Sequence, residues 1–222
     1  MTQIFPKTDM TTIVHASSFT AFADAFRQVS AATKSGAPAV HVAPVDTPLG
    51  LMVAGSSGDH LVLLEFAEPD RLADQIPRLA RRLGCSFTVS DTPVLAALRR
   101  QLDEYFQGTR TDFDLPLEAR GTPFQQQVWT ALREIPCGAT RSYADVARAI
   151  GRPTAVRAVA AANGDNRISI LIPCHRVVGS DGKLVGYGGG LWRKERLLAL
   201  ETRSALSEPD GVRVLHDHRS AE

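Results

Sequence analysis

Ser142-Tyr143-Ala144-Asp145-Val146-Ala147-Arg148-Ala149-Ile150-Gly151-Arg152-Pro153-Thr154-Ala155-Val156-Arg157-Ala158-Val159-Ala160-Ala161-Ala162 is the stretch on which the reading of the fold turns. Ser142 stands where a hydroxyl caps a helix, so a first helix is expected from Tyr143 to Ile150. Gly151-Arg152-Pro153 supplies a turn, Thr154 a second cap, and Ala155 to Ala162 a second helix. Two short helices about such a turn have the layout of a helix-turn-helix. Apart from Arg157 the second helix is almost all alanine and valine, so its outer side is smooth. A smooth helix can lie close against a groove wall, yet it offers no Asn, Gln or paired Arg to tell bases apart. Sequence-tolerant contact follows.

Downstream, Leu171-Ile172-Pro173-Cys174-His175-Arg176-Val177 fixes a cysteine between a stiffening proline and an imidazole. A thiol is a weak nucleophile until it loses its proton, and a neighbouring histidine is a common acceptor. A buried cysteine beside a surface histidine is the bland alternative, and context weighs against it. The apolar run Ile168, Ile170, Leu171, Ile172 reads as a buried strand or extended segment that stops at Pro173. After the cysteine come Gly179, Ser180, Asp181 and Gly182, then Gly186, Gly188, Gly189 and Gly190, a loop suited to close approach. A nucleophile between a core segment and a glycine loop describes the floor of a pocket.

Upstream, Gly55-Ser56-Ser57-Gly58 between the runs Leu49–Ala54 and His60–Phe66 is a hairpin signal. A helix is expected over Arg71–Leu83, kinked at Pro77. Another opens at Asp91-Thr92-Pro93, carries Val94, Leu95, Leu98, Leu102 and Phe106, and stops at Gly108. Leu115-Pro116-Leu117 reads as extended, and Thr122-Pro123-Phe124-Gln125 as a capping box. Residues 1–40 carry a weak helical stripe of Phe19, Phe22, Phe26 and Val29 with no assignable role.

The bulk numbers set bounds. A chain of 222 residues, 44% hydrophobic, can bury a sizeable core. No apolar run approaches the roughly 20 residues of a membrane span, and Met1 to Pro6 lacks the pattern of a signal peptide; a soluble, cytoplasmic protein is expected. Cys85, Cys137 and Cys174 are too few and too scattered for a disulfide framework or a zinc knot, so no metal or cofactor is expected. Cys85 and Cys137 read as packing residues. The net charge is +1, but ten Lys or Arg face four acids between Arg141 and Arg196. That excess suits one phosphate-facing side.

Taken together, Pro173-Cys174-His175-Arg176-Val177 with Gly186-Tyr187-Gly188-Gly189-Gly190, Thr122 to Trp129, Ile135-Pro136-Cys137-Gly138, Ser142-Tyr143 and Ala155 to Val159 resemble the O6-alkylguanine-DNA alkyltransferase family. The resemblance covers roughly Pro44 to Glu201 and is strongest from Arg120 onward. It implies a mixed α/β (α+β) fold: a small N-terminal ribonuclease H-like α/β domain over 41–117, then a helical, winged helix-turn-helix-like alkyltransferase domain over 118–203. Residues 1–40 would be an extension and 204–222 a tail. It further implies single-turnover transfer of an alkyl group from O6-alkylguanine, and O4-alkylthymine, in double-stranded DNA to Cys174, by a protein acting as a monomer.

The resemblance also distributes roles. His175 would be the base, acting through a water, Glu201 would orient it, and Asn166 would tie the turns around the site, with Asn163 a weaker candidate. Tyr143 would crowd the target phosphate and hydrogen-bond the guanine ring at the pocket rim. Arg157 would fill the space left by an extruded base, and Ala155 and Ala158 would lie against the DNA. Val177, Tyr187, Gly188 and Lys194 match pocket positions, with carbonyls of Cys174 and Val177 expected to accept from the guanine amine and a Gly188 N–H to meet developing charge. Gly188 stands where some relatives have serine. Rival readings are a regulator with a zinc-bearing sensor, for which no cysteine precedes Cys85; a lesion-binding module, which lacks the nucleophile present here; and a cysteine hydrolase, which would turn over.

Overall fold

Three apolar runs between Ala39 and Phe66 are continuous enough to form strands buried on both faces. The computed structural model, which describes residues 39–67, 81 and 84–207, places β1 at Ala39–Thr47, β2 at Gly50–Ser57 and β3 at His60–Phe66. A short β4, Ser86–Val89, completes a sheet of order β3-β2-β1-β4. β1 pairs antiparallel with β2 and parallel with β4, and β2 pairs antiparallel with β3. The expected stripe Phe19 to Val29 lies outside the described residues, as does the helix over Arg71–Leu83 except for Arg81.

The hairpin is tighter than the sequence suggests. Gly55, Ser56 and Ser57 belong to β2, and the reversal is made at Gly58-Asp59, with Gly58 at φ 55°. Ser56 can be buried in a strand because its hydroxyl lies 2.9 Å from that of Thr92. The β2–β3 register slips here, Gly55 pairing with Leu63 and Ser56 with Leu61, so Val62 is skipped. This bulge reverses the alternation of β3. Val62 and Leu63 join a small cluster with Val40, Val42, Val53, Cys85 and Phe87, while Leu61 and Leu64 join the main core.

That main core runs without a break from the sheet into the helical part. α1, Pro93–Phe106, starts with Thr92 accepting from the Leu95 N–H and buries Leu95, Leu98, Leu102, Tyr105 and Phe106. α2, Pro123–Arg133, opens with a complete capping box between Thr122 and Gln125, and its Trp129 indole donates to the Ala162 carbonyl at 2.9 Å. A two-residue strand β5, Arg141–Ser142, leads into α3, Tyr143–Ala149, capped reciprocally by Ser142 and Asp145. The turn follows with Gly151 at φ 70°. α4 spans Val156–Gly164, and the expected cap at Thr154 is not made: Ala155 occupies the cap position and no side chain bonds the helix start. Instead the Ala155 N–H is satisfied locally by the Arg152 carbonyl at 2.9 Å. β6, Val177–Val178, pairs parallel with β5, and α5, Leu191–Ser207, closes the described chain.

β3 is an edge strand, and two segments cover it. Leu61 bridges Leu117, exchanging hydrogen bonds with Pro116 and Glu118, and Leu64 bridges Ile168, exchanging them with Arg167 and Ser169. The second contact joins the sheet to the segment that carries Cys174. Because Thr122 caps and Thr154 does not, Thr122→Ala should lower unfolding free energy by about 1 kcal/mol, while Thr154→Ala should stay within about 0.5 kcal/mol of the parent. Urea titration of both variants measures the contrast.

Candidate active site

The apolar run before Cys174 is not a strand. Residues 168–172 coil into successive turns, with Leu171 N–H donating to Ser169, Ile172 to Ile168 and Cys174 to Ile172. Ile170 adopts φ 72°, a left-handed value rare for a β-branched side chain. The conformation holds because Asn166 and β3 together satisfy the backbone that a strand ladder would otherwise have satisfied. Asn166 accepts from the Ile168 N–H through Oδ1 at 2.9 Å, and its Nδ2 donates to the Ile172 carbonyl at 2.9 Å and to Cys174 Sγ at 3.1 Å. Pro173 ends this coil, and Cys174–Arg176 forms a single 3-10 turn.

That turn throws three consecutive side chains into the protein. Cys174 is 5% exposed, and His175 and Arg176 are buried. His175 Nε2 lies 2.8 Å from Glu201 Oε1. Glu201, midway along α5 and fully buried, also receives both Nε and Nη2 of Arg176 at 2.9 Å, the Tyr105 hydroxyl at 2.8 Å and the Gly138 N–H at 3.3 Å. Burial opposes its ionisation, but the charge and hydrogen bond of His175 and those of Arg176 outweigh it and hold the carboxyl well below the usual range. When the ring is neutral its one proton sits on Nε2, facing the carboxylate, which leaves Nδ1 as the acceptor. Nδ1 is buried and bonds no described protein group.

Burial pushes the Cys174 thiol up to about 11, against the pull of the Asn166 N–H and the Lys194 ammonium. Lys194 is itself buried, which lowers it to about 8, with the Cys174 charge acting the other way. Its Nζ donates to the carbonyls of Val177 at 2.5 Å and Val185 at 2.7 Å. Tyr143 begins α3 half-buried, its hydroxyl 3.5 Å from the Val185 carbonyl; burial and the nearby Cys174 raise its pKa.

A cavity of about 120 Å³ opens beside the sulfur. Cys174, Asn163, Asn166, Tyr187 and Gly188 line it, joined by Ser169 and, from β3, by Glu65 and Phe66. Val177 and Lys194 do not line this cavity; they pack behind the turn, and the Val177 carbonyl expected to meet a base amine already accepts from Lys194. The Cys174 carbonyl takes a 3.4 Å bond from Asn163 Nδ2. Arg157 and Ala158 are exposed on α4 and Ala155 is half-buried at its start.

Sequence reasoning missed Tyr105, Arg176 and the β3 residues. A tyrosine on the apolar face of a helix needs a partner for its hydroxyl, and that was the available signal for Tyr105. The excess of basic residues is also not all outward: Arg176, Arg193 and Lys194 are buried and Arg167 pairs with Glu65 at 2.7 Å. Arg141, Arg148, Arg152, Arg157, Lys183 and Arg196 are exposed. Among the described residues no helix is long and apolar enough to cross a membrane, and no group of three His, Cys, Asp or Glu could hold a metal ion.

Two family models match in sequence order: 6-O-methylguanine DNA methyltransferase, ribonuclease-like domain, over residues 40–119, and its DNA binding domain over 123–203. A methylated-DNA–protein-cysteine methyltransferase of Mycolicibacterium paratuberculosis is 46% identical over 72% of this chain and 90% of its own. The constitutive Bacillus subtilis protein of that name is 43% identical over 65% of this chain and 84% of its own. Among solved structures, Mycobacterium tuberculosis OGT in complex with DNA matches at TM-score 0.65 and 43% identity, over 74% of this chain and 94% of that one. The Pyrococcus kodakaraensis O6-methylguanine-DNA methyltransferase matches at TM-score 0.51 and 28% identity, over 73% and 98%. The fold is thus a ribonuclease-like sheet domain followed by a helical DNA-binding domain. With both models in register and a relative covered over nine-tenths of its length, the chain belongs to the 6-O-methylguanine DNA methyltransferase family.

Proposed function

We propose that this methylated-DNA–protein-cysteine methyltransferase, which repairs O6-methylguanine, moves the alkyl group onto Cys174 and also accepts O4-alkylthymine. The supporting observation is a buried sulfur that touches the Asn166 amide at 3.1 Å, opens on a cavity and is followed by a histidine held by a buried carboxylate.

At rest the thiol is protonated, which suits burial. In the reaction its proton passes through a water to His175 Nδ1, and the Glu201 carboxylate stabilises the imidazolium that forms. The Cys174 sulfur then forms a bond to the alkyl carbon as the carbon–O6 bond breaks, and the electron pair leaves with the base, whose ring nitrogen takes up a proton by way of water as the imidazolium gives one back. The Tyr143 hydroxyl donates to that ring, and the Gly188 N–H meets charge developing at its edge. Asn166 positions the sulfur. Lys194 ties the turn after Cys174 to the glycine loop. The product is a thioether with no good leaving group, so each molecule acts once.

An alkyl carbon inside a base stack is out of reach of any side chain, so the nucleotide must be turned out, at a cost of a few kcal/mol. The exposed alanines of α4 let that helix approach the duplex, and Arg157 beside them fills the vacated place. A base-edge reader would narrow the search to particular sequences, which a repair protein has no use for.

Incubation with an oligonucleotide bearing O6-methylguanine should add one methyl per molecule to the peptide containing Cys174, read by mass spectrometry. Cys174→Ala should abolish it; label that persists there, or product released over many cycles, contradicts the reading. Arg157→Ala should slow reaction with duplex substrate at least about tenfold while sparing free alkylguanine, and equal losses on both would remove its role in extrusion. Below a pKa of about 11 the thiolate fraction climbs about tenfold per pH unit. Trapping of Cys174 by iodoacetamide without DNA should therefore rise about tenfold from pH 7 to pH 8, whereas a flat profile would mean a thiol already ionised.

A further inference from the structure

The cavity beside Cys174 is closed at one side by residues from both halves of the chain, Phe66 at the end of β3 and Tyr187, Gly188 and Gly189 in the loop before α5. The Phe66 and Tyr187 rings meet edge to face with centroids 6.4 Å apart. A Cβ on Gly189 would stand 2.7 Å from the Phe66 ring and 3.0 Å from that of Tyr187. The loop lies flush against the aromatic pair, with no slack between them.

Arg193, on the first turn of α5, grips this wall from outside the cavity. It is 7% exposed. Its Nε donates to the Leu49 carbonyl at 2.9 Å, in the turn between β1 and β2, and its Nη1 donates to the Gly189 carbonyl at 2.8 Å. Its guanidinium carbon lies 4.6 Å from the centroid of Phe66 and 4.6 Å from that of Trp192. Gly50, at φ 108°, admits the guanidinium closely: a Cβ there would be 3.2 Å from Nη2. One planar cation therefore fixes a turn of the sheet domain, the Phe66 ring and the glycine loop relative to one another. A guanidinium can do so because its donors have fixed directions and its face stacks on rings; an ammonium offers neither.

We infer that Arg193 is a positioning residue that sets the width of the pocket beside Cys174, and thereby the size of alkyl group the sulfur can accept. This rests on the reading of Cys174 as the acceptor. A methyl group fits without any movement of the wall, whereas a benzyl group needs Phe66 and Gly189 to part. Loosening Arg193 raises tolerance of bulk without aiding methyl transfer.

The test compares wild type, Arg193→Met and Arg193→Lys on two oligonucleotides of one sequence, bearing O6-methylguanine or O6-benzylguanine, with Cys174 alkylation followed by intact-mass spectrometry. DNA contacts are common to both substrates and cancel in the ratio of rates. The benzyl-to-methyl ratio should rise at least about tenfold in both variants, the order of discrimination that a change of pocket fit produces. A ratio equal to wild type, whether the two rates stay or fall together, overturns the inference. Should Arg193→Met lack a cooperative melting transition, Arg193→Lys, which keeps charge and bulk, decides on the same criterion. The methyl arm with wild type separates the two claims: no transfer to Cys174 there sinks the acceptor assignment itself, whereas transfer with an unmoved ratio sinks only the role of Arg193.

Discussion

A carboxylate withdrawn from water is stable only if enough donors replace the solvent, and Glu201 meets that condition with five: His175 Nε2, two nitrogens of Arg176, the Tyr105 hydroxyl and the Gly138 N–H. The donors come from three parts of the fold. Tyr105 is on α1, Gly138 in the turn before β5, His175 and Arg176 on the 3-10 turn, and Glu201 on α5. The ion is therefore an organising centre for the helical half, and the removal of an arm leaves part of its buried charge unsolvated. Arg176 extends the network by donating from Nη1 to the Ile135 carbonyl. In this arrangement the orientation of the histidine is a by-product of holding the helices together.

The Cys174 sulfur is held by an opposed pair of effects. Burial keeps the thiol protonated and shields it from adventitious electrophiles and oxidants. The Asn166 N–H and the Lys194 ammonium lean the other way, favouring negative charge on sulfur once a proton acceptor is in reach. Glu65, at the end of the sheet, raises the thiol slightly further, and its pairing with Arg167 keeps that charge largely compensated. A thiol ionised in advance would be lost to the first electrophile it meets.

Local chemistry was legible in the sequence, and assembly was not. The starts of α1, α2 and α3 could be read because a cap and its partner lie within three residues: Thr92 with Leu95, Thr122 with Gln125, Ser142 with Asp145. Cys174 and His175 were legible as neighbours. Tyr105 was not, because it meets Glu201 across 96 positions. The coil at Ile168–Ile172 looked like a strand since every residue but Ser169 is apolar; only the Asn166 amide and the edge of β3, which no local pattern announces, make the coil possible. Thr154 had the right chemistry for a cap, but the turn through Arg152 and Ala155 fills that place with backbone. Counting charges found a basic half without showing that Arg176, Arg193 and Lys194 turn inward or that Arg148, Arg167 and Lys183 pair with acids.

The covered edge of the sheet has a further meaning. An open edge strand offers a row of unpaired amides and carbonyls to any neighbouring chain. Here β3 is occupied at Leu61 by the segment around Leu117 and at Leu64 by the one around Ile168, and the opposite edge, β4, is only four residues long. The backbone bonds between Leu64 and the Arg167–Ser169 segment thus hold the turns that lead to Cys174 and, together with those at Leu61, close this edge of the sheet to intermolecular β-pairing.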